Sequence, residues 1–282
     1  MKLHTINTGF FKLDGGAMHG VVPKSLWSKE NAADENNMCN WAMRCLLVED
    51  GDRLILIDNG MGDKQDAKFF SYYFLNGNDS LEKSLNAKGF SLNDVTDMFL
   101  THLHFDHCGG SIRYNGDRSK LQTVFPNATY WSNEEHWEWA TKPNAREKAS
   151  FLKENILPIQ ESGQLKFLKK GEELIPGFET IWVYGHTGAM MLPKINCNGK
   201  TIVFMADLMP SVAHIPLPWI MAYDMRPLET LKEKEIFLPQ AAKEEFILFF
   251  EHDGVNECCT VEQTERGVRV KEKGTLNSFF TR

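Results

Sequence analysis

Residues 101–110 read Thr101-His102-Leu103-His104-Phe105-Asp106-His107-Cys108-Gly109-Gly110. Three imidazoles and one carboxylate fall within positions 102–107. The apolar run 98–101 before them reads as a strand that ends at His102. Side chains alternate along an extended chain, so His102 and His104 point the same way. A tight turn beyond them aims Asp106 and His107 at a second point nearby. One short segment can thus offer ligands to two neighbouring cations. Gly109 and Gly110 allow the backbone to bend close to that place. A lone histidine is usually a packed or surface residue, but four ligand-type side chains at this spacing point to metal.

Further strand ends carry the same kinds of residue. The run 54–57 leads into Asp58-Asn59-Gly60, and 202–205 leads into Ala206-Asp207. His186 follows a strand near 181–183 and is flanked by glycines in Tyr184-Gly185-His186-Thr187-Gly188. His252 follows the apolar run 246–250 in Phe249-Phe250-Glu251-His252-Asp253. Polar residues just past a strand's carboxyl end lie where α/β proteins place their sites. His102 and His104 need at least one more ligand, for which His186 is the natural choice. Asp207 is a carboxylate able to bridge two cations, and His252 can complete a second site. Each taken alone is as readily a packing residue.

The chain has 282 residues, 42% hydrophobic and 24% charged, with a formal net charge of −7. These values suit a globular protein with a full core. An acidic balance disfavours nucleic acid as a partner. No apolar run approaches the roughly 18 residues a membrane span needs. The first residues show neither an apolar h-region nor a small-residue cleavage site, so a cytoplasmic location is expected. The cysteines, Cys39, Cys45, Cys108, Cys197, Cys258 and Cys259, form no CxxC pair and read as reduced structural thiols. Cys108, next to His107, is the one with a rival reading as a metal thiolate.

Strands are expected near 42–48, 54–57, 98–101, 181–183, 202–205 and 246–250. Helices are expected near 64–75, 81–88, 133–140, 145–154 and 227–237, with Pro239 ending or kinking the last. No repeat or linker interrupts this order, so residues 1–282 are read as one α/β domain.

HxHxDH followed by a distant His, Asp and His resembles the metallo-β-lactamase superfamily. Asp58, in Leu56-Ile57-Asp58-Asn59-Gly60, matches that family's first motif, where the aspartate orients ligating histidines. The resemblance covers residues 46–253. It implies a four-layer αββα sandwich with two mixed sheets and helices outside. It also implies a dinuclear metal-dependent hydrolase with His102, His104, Asp106, His107, His186, Asp207 and His252 as ligands. Zinc is the first choice on frequency, with iron, manganese and cobalt open.

Asp207 stands where true β-lactamases carry a different residue type, which argues against antibiotic hydrolysis. The stretch after His252 reads as a strand (267–270) and a tail, unlike the helical glutathione-binding domain of glyoxalase II. An acidic chain is also a poor match to the tRNA-processing nucleases. The segment 13–24, Asp207-Leu208-Met209-Pro210, the run 213–219 and Ala222-Tyr223-Asp224 resemble the N-acyl homoserine lactonases and their methyl parathion hydrolase-like relatives. The implied function is opening of lactone rings such as N-acyl homoserine lactones by a hydroxide bridging two metals. Phosphotriester or other ester hydrolysis is the alternative, and a non-catalytic binding protein is disfavoured because every ligand position is filled.

There is one departure. Several such lactonases carry a tyrosine three residues past the bridging aspartate, where this chain has Pro210. His214 and Tyr223 are the candidate replacements, beside Asp207 and Asp106 as catalytic carboxylates. His4, His19 and His136 read as packing or surface residues, although His19 lies in a segment that could line the pocket. Met18, Trp27, Met190, Met191, Met209, Pro216, Leu217, Trp219 and Met221 suit an apolar groove for an acyl chain, or the core. The segment 16–37 could form a homodimer contact or a lid.

Overall fold

Two short apolar runs form the middle of the first sheet. In the computed structural model, which describes residues 1–280, they become β3 (Arg53–Ile57) and β4 (Asp97–Phe99), paired in parallel with Ile57 opposite Phe99. Residues 281 and 282, the end of the expected tail, lie outside the described residues. Parallel strands are covered on both faces, which explains why these runs are continuously apolar rather than alternating. The full order is β1 (Lys2–Asp14), β2 (Met38–Asp50), β3, β4, β7 (Thr129–Ser132), β8 (Leu165–Phe167). The second sheet runs β14 (Gly267–Gly274), β13 (Cys258–Thr264), β12 (Ile247–Phe249), β11 (Lys200–Phe204), β10 (Met190–Cys197), β9 (Phe178–Val183). Both mix parallel and antiparallel pairs. A separate hairpin joins β5 (Ile112–Tyr114) to β6 (Leu121–Thr123).

The chain divides into two compact units, one of Met1–Gly9, Met43–Tyr72 and Asn76–Leu174, the other of Phe10–Ala42, Tyr73–Leu75 and Ile175–Arg282. In the first unit Leu47, Leu56, Met98, Leu100, Phe125 and Ile159 belong to one buried core. In the second, Phe204, Ile247, Leu248 and Phe249 fill the sheet centre, with the Phe204 and Phe249 rings stacked at 5.5 Å.

All the expected strands form, and β1, β5, β6, β7, β8, β10 and β13 are additional to them. The helices differ more. The helix expected at 64–75 shrinks to Ala67–Ser71. Asp66 caps it by accepting from the Phe69 amide, while the Lys64 ammonium upstream is drawn off to the Gly109 carbonyl at 2.6 Å. The helix expected at 145–154 forms later, as Lys153–Glu161. The Asn144 side chain accepts from the Arg146 and Glu147 amides and holds a turn there. The Ser150 carbonyl accepts from the Phe105 amide instead of a helical partner. The helix expected at 227–237 runs on to Lys243, through Pro239. Pro239 and Glu235, whose carbonyl loses its helical donor, are both exposed, so water can serve that carbonyl.

Close backbone approach fixes the glycines of the metal segment. A Cβ on Gly109 would lie 2.1 Å from the Met61 carbonyl oxygen, whereas one on Gly116 would meet nothing within 4 Å. Gly109→Ala should therefore destabilise the protein by about 1–3 kcal/mol, the usual cost of overpacking against backbone. Gly116→Ala should leave the urea-unfolding midpoint nearly unchanged. Equal midpoints for the two variants would contradict the packing described.

Candidate metal centre

In the first unit β4 ends two residues before Thr101, and the ligand segment folds into a short helical turn, Phe105–Cys108. His102, His104, Asp106 and His107 are all buried. The tautomer of each ring follows from its neighbours. The Glu147 carboxylate can only accept, so His104 Nε2, 3.0 Å away, carries the proton and Nδ1 presents a lone pair. The Thr101 hydroxyl gives its proton to Asp58 at 2.6 Å and therefore accepts from His102 Nδ1 at 3.1 Å. That leaves a lone pair on His102 Nε2, which faces His104 Nδ1 at 3.0 Å. His107 Nδ1 donates to Asp58 at 3.1 Å, which turns a lone pair on Nε2 toward Asp106, 3.9 Å away.

The second unit repeats the logic. His186 Nδ1 donates to Asp224 at 2.9 Å, and its Nε2 faces Asp207 at 3.1 Å. His252 Nδ1 donates to the Ala42 carbonyl at 2.8 Å, and its Nε2 faces the other Asp207 oxygen at 3.4 Å. Burial pulls the His186 pKa down, but the Asp207 charge and hydrogen bond, with Asp224, outweigh it and raise it to about 10. The same carboxylates favour any cation placed there.

The donor set therefore fits divalent metal. Lone pairs and carboxylate oxygens that face one another at these distances repel unless a cation or additional protons lie between them. Ligand atoms of His102 and His104 lie within 4.8 Å of each other, as do those of Asp106 and His107, and those of His186 and Asp207. All five rings have the other nitrogen fixed by a carboxylate, hydroxyl or carbonyl, the usual support of a ligating imidazole.

Backbone strain accompanies these positions. Asp58, with φ 55°, and Ala206, with φ 40°, hold left-handed conformations beside or within the ligand network. Asp58 accepts from the Thr101 amide and hydroxyl as well as from His107.

The other expected residues fall as follows. Cys108 is buried, its thiol donates to the Leu103 carbonyl at 3.3 Å, and burial pushes its pKa up to about 12. A neutral, bonded thiol fits the structural reading. His214 gives its ring proton to the Met18 carbonyl at 2.8 Å and accepts from the Ser211 hydroxyl at 2.8 Å, so both nitrogens are engaged. Tyr223 is exposed and directly precedes Asp224, the partner of His186. His136 accepts from the Leu103 amide at 2.9 Å, and His4 pairs with Glu49 at 3.1 Å. His19 is buried between the Trp27 and His214 rings, stacked at 5.3 and 4.9 Å, with the Trp219 edge at 5.5 Å. Glu147, Thr101 and the ring-fixing role of Asp224 were not read from sequence. Only Asp224 left a signal, as the last residue of Ala222-Tyr223-Asp224.

The profile of the metallo-beta-lactamase superfamily matches residues 44–252, and the chain belongs to that family. It has the family's fold and is a metal-dependent hydrolase. An N-acyl homoserine lactonase of Bacillus cereus is 25% identical over 283 residues, covering 95% of this chain and 96% of that protein. The crystal structure of a probable metal-dependent hydrolase from Staphylococcus aureus superposes with a TM-score of 0.88 at 28% identity, covering 97% of this chain and 96% of that one. AidC, a dizinc quorum-quenching lactonase solved with the product N-hexanoyl-L-homoserine, shares the fold at a TM-score of 0.76 and 24% identity, covering 95% and 92% of the two chains. No helix among the described residues is long and apolar enough to cross a membrane.

Two predictions follow from this network. Asp224→Asn and Glu147→Gln should each weaken metal binding about 10–100-fold in chelator competition, because the imidazole they fix loses its set tautomer. Unchanged affinity in both would contradict the assigned supports. Burial lowers the His19 pKa from 6.5 to about 4. The unfolded chain then binds the extra proton in that window, so stability should fall as pH drops from 6.5 toward 4. His19→Phe should flatten that slope in urea titrations at a series of pH values, and an undiminished slope would overturn the assignment.

Proposed function

We propose that the chain is a lactonase that opens lactone rings of the N-acyl homoserine lactone type with two divalent cations, zinc by preference. His102, His104 and His186 would hold one cation, Asp106, His107 and His252 the other, with Asp207 shared. The supporting observation is the set of five imidazoles whose tautomers all turn a lone pair toward ligand-type atoms. The near full-length similarity to the N-acyl homoserine lactonase of Bacillus cereus supports this substrate class. The family profile spans both ligand groups, since it runs from residue 44 to 252.

Bound there, two cations would make ionised water available at neutral pH and polarise the substrate carbonyl. The rest falls to the chain's own groups. Asp58 and Asp224 keep His107 and His186 in the ligating tautomer. Asp207 is the carboxylate we assign to take the proton of the attacking water and return it to the departing alkoxide. Nucleophile and leaving group belong to one small ring, so a single carboxylate can serve both. Tyr223, adjacent to Asp224, is the phenol we assign to the substrate carbonyl in place of the residue lost at Pro210. His214, with both nitrogens engaged, is assigned to hold the 211–214 turn against Met18.

The reading is tested by hydrolysis of N-hexanoyl and N-decanoyl homoserine lactones on metal-analysed protein, with a dialkyl aryl phosphotriester alongside. Lactone opening should be fast and lost on chelation, and Asp207→Asn should lower kcat about 100-fold or more. Metal-loaded protein that hydrolyses the triester and leaves both lactones intact would reject the substrate class.

A further inference from the structure

The second unit holds a cavity of about 280 Å³ between the 212–219 loop and β14. Its walls are apolar, with Val212, Ile215, Pro216, Trp219 and Val270 among the lining residues. The cations Arg269 and Lys273 also line it, opposed by one carboxylate, Glu30. We propose that this cavity binds an amphiphilic monocarboxylate, apolar tail inward and carboxylate at the cationic side that Arg269 and Lys273 line.

Three observations carry it. The first is the unbalanced charge. Arg269 donates to the Val268 carbonyl, and neither it nor Lys273 forms an ion pair among the described residues. Lys271 between them is already paired with Glu245 at 3.6 Å. Two unpaired cations against one lining carboxylate suit a singly charged anion, and the remaining walls suit a hydrocarbon body.

The second is that the wall is pre-formed. Lys234 is fully buried on the helix Pro227–Lys243 and donates to the carbonyls of Pro216 at 2.9 Å, Leu217 at 3.3 Å and Trp219 at 2.8 Å. Asp253 accepts from the Val212 amide at 3.0 Å and fixes the other end of the loop. A loop anchored at both ends keeps the cavity open at little entropic cost to a ligand.

The third is the position of the cations. Charged residues along an edge strand such as β14 commonly guard it against pairing with another chain. Guarding alone requires no cavity, and it does not require apolar walls beside the charges. The two together are what an amphiphile recognises.

The test is calorimetric titration of the metal-loaded protein with octanoate, octan-1-ol and octylamine. Octanoate should bind, octan-1-ol about tenfold more weakly, and octylamine not at all. A carboxylate could also reach the metals, so two variants separate the sites. Arg269→Glu combined with Lys273→Glu changes exposed side chains only, and Val270→Trp fills the cavity. Each should weaken octanoate at least about tenfold, with folding confirmed by circular dichroism. Absence of octanoate binding to the parent protein, or affinity unchanged in both variants, would overturn the proposal. The readout is independent of lactone hydrolysis, so its failure leaves the proposed reaction untouched.

Discussion

Imidazole lone pairs buried against carboxylates and against one another are unstable without positive charge among them. That constraint organises the site. His102 Nε2 and His104 Nδ1 face each other at 3.0 Å, and Asp207 faces His186 and His252 at 3.1 and 3.4 Å. Water could relieve such contacts at a surface, but all these residues are buried. A divalent cation relieves them without extra protons, and it makes the burial of so many polar groups affordable.

The supporting structure serves to keep those lone pairs aimed. Asp58 is held with a positive φ and serves Thr101 and His107 together. Thr101 in turn sets the tautomer of His102, so one carboxylate governs two rings. Glu147 sits in a turn that the Asn144 side chain holds, and Asp224 is held by the Thr230 hydroxyl at 2.8 Å. Gly185, next to His186, leaves room for Thr230, since a Cβ there would lie 2.2 Å from its hydroxyl. Local irregularity at 144–150 and the strain at Asp58 and Ala206 are thus costs of orientation.

Much of this was legible in the residues. The HxHxDH spacing, the strand-end positions of Asp58, Asp207 and His252, and the continuous apolar runs of β3 and β4 each carry a local signal. The supports of the rings carry almost none. Glu147 lies 43 positions from His104 and reaches it only through a turn that resembles helix in composition. The helix at 64–75 is shortened at both ends: Lys64 is drawn to Gly109, a contact no local propensity contains, and Phe74 takes a left-handed φ of 48°. The helix through Pro239 persisted because its lost bond faces solvent, which periodicity alone does not reveal. The engagement of both His214 nitrogens, and the packing of His19 between Trp27 and His214, likewise depend on residues far apart in the chain.

In the proposed reaction the histidine and aspartate ligands hold a pair of cations. Anomalous diffraction from crystals of the zinc-loaded protein, recorded across the zinc edge, tests it most directly. Two peaks about 4 Å apart are expected, one beside His102, His104 and His186, the other beside Asp106, His107 and His252, with Asp207 touching both. A single peak, or peaks away from these side chains, would contradict it.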